Sequence, residues 1–292
     1  FSNWSRDELI SLKALPNKKD VAKNIFNRAL ANFKSYNKNS ADSVGWFFKR
    51  ITDEKVKSSK EKLKKIVSSL VLENTINSFA INKVKETWMD SLERSNIRIE
   101  IQALRLGIYQ TMFNLSKQKI YKDLEEKLKK KVLQNLWNEE YLYDGLNDDT
   151  IRPNIFLSNY IYPNLLTKRQ WTECFQNSLD ALWLSFGGLS TIEKENPLFC
   201  PQHTGEDSKS YHNGDSWFWI NNLAALTLFK NNKTKFKSQI RKIMEASTGE
   251  ILWQGAIGHH AELSSANELK SQGCLMQAWS SAMYVELIDE IN

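Results

Sequence analysis

An all-α fold is what this sequence predicts, on three observations. Glycine and proline number only 11 and 5 in 292 residues, about 5% against an average near 12%, too few breakers for the turns of a many-stranded sandwich or barrel. Apolar residues recur at spacings of three and four along most of the chain, with no convincing run of the two-residue alternation that a half-buried strand needs. The 41% hydrophobic and 25% charged fractions suit a chain that buries a sizeable core and exclude a disordered one.

The periodicity places eleven helices, at 7–15, 20–34, 40–51, 60–78, 97–115, 117–137, 155–165, 168–186, 215–230, 233–247 and 273–290. Pro16 separates the first two, and the polar run 37–40 the second from the third. Within 60–78, Leu63, Ile66, Val67 and Leu70 form an apolar stripe; within 117–137, Ile120, Leu124, Leu128 and Val132 do the same. The lysines crowded at 55–65 and 117–131 then fall on wet helix faces rather than forming a nucleic-acid surface. The turn-rich run 145–149 follows, and Pro153 stands where helix starts favour proline. Gly187-Gly188 stops the 168–186 helix, and the long joints 193–210 and 248–271 frame the two helices after it. Loops of that length are uncommon in compact domains and usually carry function. His203, His212, His259 and His260 lie in them or beside them.

The net charge of +6 invites a nucleic-acid partner, but no helix-turn-helix, zinc-finger or RNA-recognition signature accompanies it, and none is expected. No window approaches the eighteen or so uncharged apolar residues of a membrane span, so no membrane partner is expected either. Cys174, Cys200 and Cys274 are odd in number and widely spaced, which reads as reduced thiols in the cytoplasm. The histidines form no His-x-x-x-His pair and the cysteines no Cys-x-x-Cys, so no metal site is predicted; phosphate-cradling glycine loops and serine-nucleophile motifs are missing too. Without a composition shift or fixed-period repeat, residues 1–292 read as a single domain.

Ten tryptophans are many, and several stand beside charged or hydrogen-bonding residues: Trp4-Ser5-Arg6-Asp7, Thr87-Trp88-Met89-Asp90, His212-Asn213-Gly214-Asp215-Ser216-Trp217 and Gln277-Ala278-Trp279-Ser280. An aromatic face covers the C–H patch of a sugar ring while Asp, Asn, Arg and His answer its hydroxyls, so the pairing suits a carbohydrate pocket. Taken singly, each Trp reads equally well as core.

Taken in order, these stretches resemble a known family. With Ile10-Ser11-Leu12, Tyr36-Asn37 through Asp42 to Trp46-Phe47-Phe48, Arg98-Ile99-Glu100-Ile101-Gln102-Ala103-Leu104, Arg152-Pro153-Asn154, Tyr211-His212-Asn213-Gly214, Glu262 and Gly273-Cys274, the set is similar to the C-terminal amylo-α-1,6-glucosidase domain of glycogen debranching enzymes. That resemblance implies an (α/α)6 barrel with its active site at one mouth, no cofactor, and hydrolysis of α-1,6-linked glucose from glycogen-type α-glucan with inversion. It makes Asp90 the general acid and Glu262 the general base, 172 residues apart. It gives sugar contacts to Arg6 and Asp7, and pocket roles to Trp4, Asp42, Trp46, Trp88, Glu100, Arg152, Asn154, His212, Asn213, Trp217 and Trp279.

The chemistry agrees with two unlike carboxyls, one protonated beside the leaving oxygen and one ionised to activate water across the ring. Asp90 follows Trp88 and Met89, an apolar setting that raises a carboxyl's pKa, and a charged His259 or His260 would keep Glu262 ionised. Ser5, Glu8, Asn213 and Phe218 stand where the family usually has Gly, Thr, Gln and Pro, which leaves another α-glucoside open as substrate. A non-catalytic glycan-binding helical domain is the remaining alternative. Because family members carry a helix before the Trp-Ser-Arg-Asp stretch, the resemblance also implies a barrel lacking its first helix, with the family's β-rich N-terminal domain outside this chain.

Overall fold

A computed structural model describes residues 4–15, 18–34, 41–55 and 58–292. Pro16, the break at 37–40 and the Tyr36-Asn37 part of the second motif lie outside those residues. The described chain forms eleven α-helices: α1 (Ser5–Ser11), α2 (Lys18–Lys34), α3 (Ser43–Asp53), α4 (Lys60–Glu73), α5 (Ile99–Ser116), α6 (Lys119–Asn135), α7 (Asn154–Ile161), α8 (Lys168–Leu182), α9 (Phe218–Asn232), α10 (Lys237–Trp253) and α11 (Ala278–Ile291). Three antiparallel ladders of two-residue strands join them: β1 (Thr75–Ile76) with β2 (Phe79–Ala80), β3 (Trp183–Leu184) with β4 (Gly188–Leu189), and β5 (Ser216–Trp217) with β6 (Leu263–Ser264).

The odd-numbered helices form the inner ring. α1 packs on α3, α3 on α5, α5 on α7, α7 on α9, α9 on α11, and α11 closes back on α1. α2, α4, α6, α8 and α10 lie outside them. Burial explains the division of sequence. All eight residues of α7 and most of α5 and α9 are buried, because a helix with neighbours on every side must be apolar all round. Outer α4 buries only Leu63, Val67 and Leu70, and α6 only Tyr121, Leu128 and Val132, leaving most of their lysines in water; Ile120, predicted in the α6 stripe, is instead exposed at the start of that helix. α11 is fastened across the closing seam by Glu286, which accepts from Lys13 Nζ at 2.9 Å and from the Tyr160 hydroxyl at 2.6 Å.

Helix ends depart from the periodicity. The 60–78 helix stops at Glu73 because Asn77 and Ser78 take left-handed backbone (φ 50° and 77°) and turn the β1–β2 hairpin. The 168–186 helix stops at Leu182, where the chain becomes extended; at Gly187 (φ 103°) a Cβ would collide with the Lys242 carbonyl. The 273–290 helix begins only at Ala278, since Gly273 is left-handed (φ 66°). α10 runs through Gly249 to Trp253, beyond the predicted end at 247.

The inner helices all present their N-termini to one mouth, where the predicted site residues gather. At their other ends a polar chamber of about 400 Å³ is lined by Lys49, Gln110, Asn159 and Glu286. A groove of about 890 Å³ between α10 and the end of α11 lies on the outside of the barrel. Among the described residues no helix is long and apolar enough to cross a membrane.

Candidate active site

One side of the mouth is built around Arg6. This residue begins α1 and is buried, its Nε donating to Asp42 Oδ2 at 2.7 Å and its Nη1 standing 3.8 Å from Asp90 Oδ2. Asp42 occupies the position before α3, but its side chain does not cap the helix. Asp90 sits in the turn following Trp88 and Met89, its side chain 39% exposed. Burial pushes its carboxyl above the ordinary carboxylate range and Asp42 adds to this, against the pull of Arg6. Asp7 is likewise raised by burial, to about 6.

The other side is built around Glu262, just before β6. Its Oε1 accepts from the Tyr211 hydroxyl at 2.9 Å and Gln277 Nε2 at 3.4 Å, and its Oε2 from the Cys274 backbone N–H at 3.1 Å. The backbone closes the same loop, Glu262 N–H donating to the Cys274 carbonyl at 2.8 Å. Burial raises the Glu262 carboxyl, while these three donors favour its ionised form. Gly273 fits against it because a Cβ there would meet Glu262 Oε2. Gly273→Ala would add both that collision and left-handed strain.

The two sides share one electrostatic neighbourhood. Asp7 feels the charge of Glu262, and Tyr211 feels those of both Glu262 and Asp90, so ring closure joins residues from the two ends of the chain. Beneath this neighbourhood lies a buried aromatic cluster. Trp88 meets Trp217 and Trp219 edge-on at 5.6 and 5.1 Å, Trp279 stacks on Trp219 at 5.0 Å, and His212 stacks on Trp217 at 4.9 Å.

A family profile described as amylo-alpha-1,6-glucosidase matches residues 69–286, from the end of α4 into α11. The chain belongs to the amylo-alpha-1,6-glucosidase family. The family's fold recurs in solved structures of low identity. A glycosidase Glu-to-Ala variant superposes with a TM-score of 0.73 at 10% identity, covering 99% of this chain and 87% of its own. A second glycosidase variant, in complex with glucose, gives 0.68 at 11%, with the same coverages of 99% and 87%. The GH63 mannosylglycerate hydrolase from Thermus thermophilus, in complex with glucose, gives 0.60 at 10%, covering 84% and 73%. These likenesses place the chain in the (α/α)6 class. No curated protein sequence matches it.

In this amylo-alpha-1,6-glucosidase family member, several residues expected in the pocket lie behind it. Trp46 is 1% exposed, packed on Tyr160 and edge-on to Trp219, so it is core and not a sugar platform. Glu100 and Asn154 are wholly enclosed. Asn154 accepts from Trp88 Nε1 at 2.7 Å and donates to Asp144 Oδ1 at 2.8 Å, and thereby holds the turn that carries Asp90. Arg152 is spent on the carbonyls of Thr191 and His212 and on Asn213 Oδ1. His212 bonds Ser91 Oγ through Nδ1 at 2.7 Å, and burial with nearby arginines holds it well below its ordinary pKa, hence neutral. Trp88, Trp217 and Trp279, at 2%, 2% and 4%, are buried in the core as Trp46 is, whereas Trp4, at 57%, stands exposed ahead of α1.

The expected histidine support for Glu262 is corrected. His260 is buried, turns to Glu250, and is lowered by that burial, while His259 is exposed and forms no part of the cradle. Tyr211 and Gln277 do that work instead. Sequence reasoning also passed over Arg94 and Asp144. Arg94 binds Asp144 through Nε and Nη2 at 2.8 and 2.7 Å, and Glu100 through Nη1 and Nη2 at 2.8 and 3.1 Å. Its Nη1 also reaches Thr87 Oγ1 at 3.1 Å, on the approach to Asp90. Among the described residues no group of His, Cys, Asp and Glu is arranged to hold a metal ion.

Proposed function

We propose that this chain is a glycoside hydrolase that removes α-1,6-linked glucose from glycogen-type α-glucan with inversion, Asp90 acting as general acid and Glu262 as general base. The observation that carries the reading is the unlike construction of two burial-raised carboxyls sharing one mouth. Burial and Asp42 raise the Asp90 carboxyl against the pull of Arg6, the direction that suits an acid protonating the leaving oxygen. Glu262 is met by three donors, which suit a carboxylate that takes a proton from the attacking water. Inversion requires the pair to stand roughly 6.5 to 9.5 Å apart, with the water between Glu262 and the sugar ring.

Proton NMR of the sugar first released from a limit dextrin bearing α-1,6 glucosyl stubs tests the reading. The β anomer is expected before mutarotation. The α anomer first would overturn inversion, and glucose release only from another α-glucoside would overturn the linkage.

The pH profile supplies a second check. Because the Tyr211 hydroxyl stabilises the ionised form of Glu262, Tyr211→Phe lifts that carboxyl further. Activity requires Glu262 ionised and so rises with pH through its pKa; the acidic limb of kcat/KM is therefore expected to move to higher pH, with the alkaline limb in place. An unmoved acidic limb would separate Tyr211 from the base.

A further inference from the structure

Outer helix α10 carries a carboxylate in an unfavourable place. Glu250 lies in the last turn, where the helix dipole disfavours negative charge, and it is fully buried, unlike exposed Glu245 on the same helix. Its oxygens are nevertheless fully engaged. Oε2 meets His260 Nδ1 at 2.6 Å, and Oε1 accepts from Ser271 Oγ at 2.6 Å and from the Ala261 N–H at 3.2 Å. The tautomer of His260 follows from its other nitrogen. Asn222 Oδ1 already accepts from Ser247 Oγ at 2.9 Å, so the Asn222 amide nitrogen donates to His260 Nε2 at 3.2 Å, and the ring proton sits on Nδ1, facing Glu250.

The donors to Glu250 come from both strands of the base cradle. Ala261 directly precedes Glu262, and Ser271 precedes Gln272, whose backbone pairs with Leu263. The same two strands supply the Glu262–Cys274 backbone bond, and the His260 carbonyl accepts from the N–H of Gln277, whose side chain reaches Glu262. We infer that Glu250, with His260 as its oriented partner, is the positioning residue for the base, clamping from outside the barrel the two strands that aim Glu262 into it. The inference rests on the reading of Glu262 as general base.

Steady-state kinetics on Glu250→Gln test it, with wild type, Glu262→Gln and Asp90→Asn in parallel, on limit dextrin and on α-glucosyl fluoride. Fluoride leaves without a proton donor, so the fluoride substrate bypasses the acid and still needs the base. Glu250→Gln is expected to lose about a hundredfold in kcat on both substrates with KM unchanged, since misplacement by an ångström carries that cost. A general loss of folded protein would instead leave kcat per titrated site unchanged, and that result overturns the proposal. So does a folded Glu250→Gln with wild-type kcat beside an inactive Glu262→Gln. An active Glu262→Gln defeats the underlying assignment of the base and the inference with it. Should Glu250→Gln fail to fold, Ser271→Ala removes one donor only; a lowered kcat at constant KM then supports the clamp, and an unchanged kcat overturns it.

Discussion

Asp90→Asn and Glu262→Gln are each expected to lose about 10²- to 10⁴-fold in kcat, the usual weight of a positioned acid or base, while glucose binding persists. Both replacements keep the shape of the side chain. Asn at 90 has no acidic proton to give, yet Arg6 remains fixed by Asp42 at 2.7 Å, so that side of the mouth stays assembled. Gln at 262 can still accept from the Cys274 N–H through its oxygen and donate its amide to the Tyr211 hydroxyl, but it cannot take a proton from water. The two lesions separate on α-glucosyl fluoride, where the Asp90 variant recovers and the Glu262 variant does not. Calorimetric titration with glucose checks that binding survives. Full turnover in either variant would remove that residue from its assigned role.

Arg94→Met is expected to have the largest effect on stability. Asp144 and Glu100 are both wholly buried and share this guanidinium through two-pronged contacts. Burial by itself would raise Asp144, but Arg94 and Arg152 hold it down to about 2, whereas burial and the charge of Asp144 leave Glu100 raised. Removing one partner of a buried ion cluster leaves its charges uncompensated and costs about 3–5 kcal/mol. For a chain of this size that corresponds to a fall in Tm of roughly 10 °C. Thermal unfolding followed by circular dichroism measures it. An unchanged Tm would mean that Arg98 and Arg152 neutralise the pair without Arg94.

The helices were legible because burial imposes its period on sequence, as Leu63, Val67 and Leu70 on α4 and Leu128 and Val132 on α6 show. Their ends were less so. The β1–β2 turn uses Asn77 and Ser78 in left-handed backbone, with no glycine to mark it. For the site, the order of motifs brought Arg6, Asp42, Asp90 and Glu262 to attention, and the fold gathers them. What stayed hidden was how the chain spends its charges. Arg94 and Asp144 look like solvated loop residues until the ring buries them, and Glu250 reads as part of the long joint 248–271. Trp46 illustrates the converse: a tryptophan in a sugar-like motif has the same sequence signal whether it floors a pocket or fills a core. The two histidines before Glu262 were misleading because adjacency in sequence does not say which way a ring turns. His260 turns inward onto Glu250, while His259 is exposed.

The seam where α11 docks on α1 makes catalysis a count of closed molecules. Arg6 rides on α1, while the segments cradling Glu262 run directly into α11, and Lys13, in the turn that follows α1, latches onto Glu286 of α11. Parting that joint by a few ångströms would leave every helix folded and each carboxyl in its own local setting, yet would separate the Arg6 side of the mouth from the Glu262 side. Residual turnover in mild denaturant would then report the fraction of latched rings, and would fall before helical circular dichroism does.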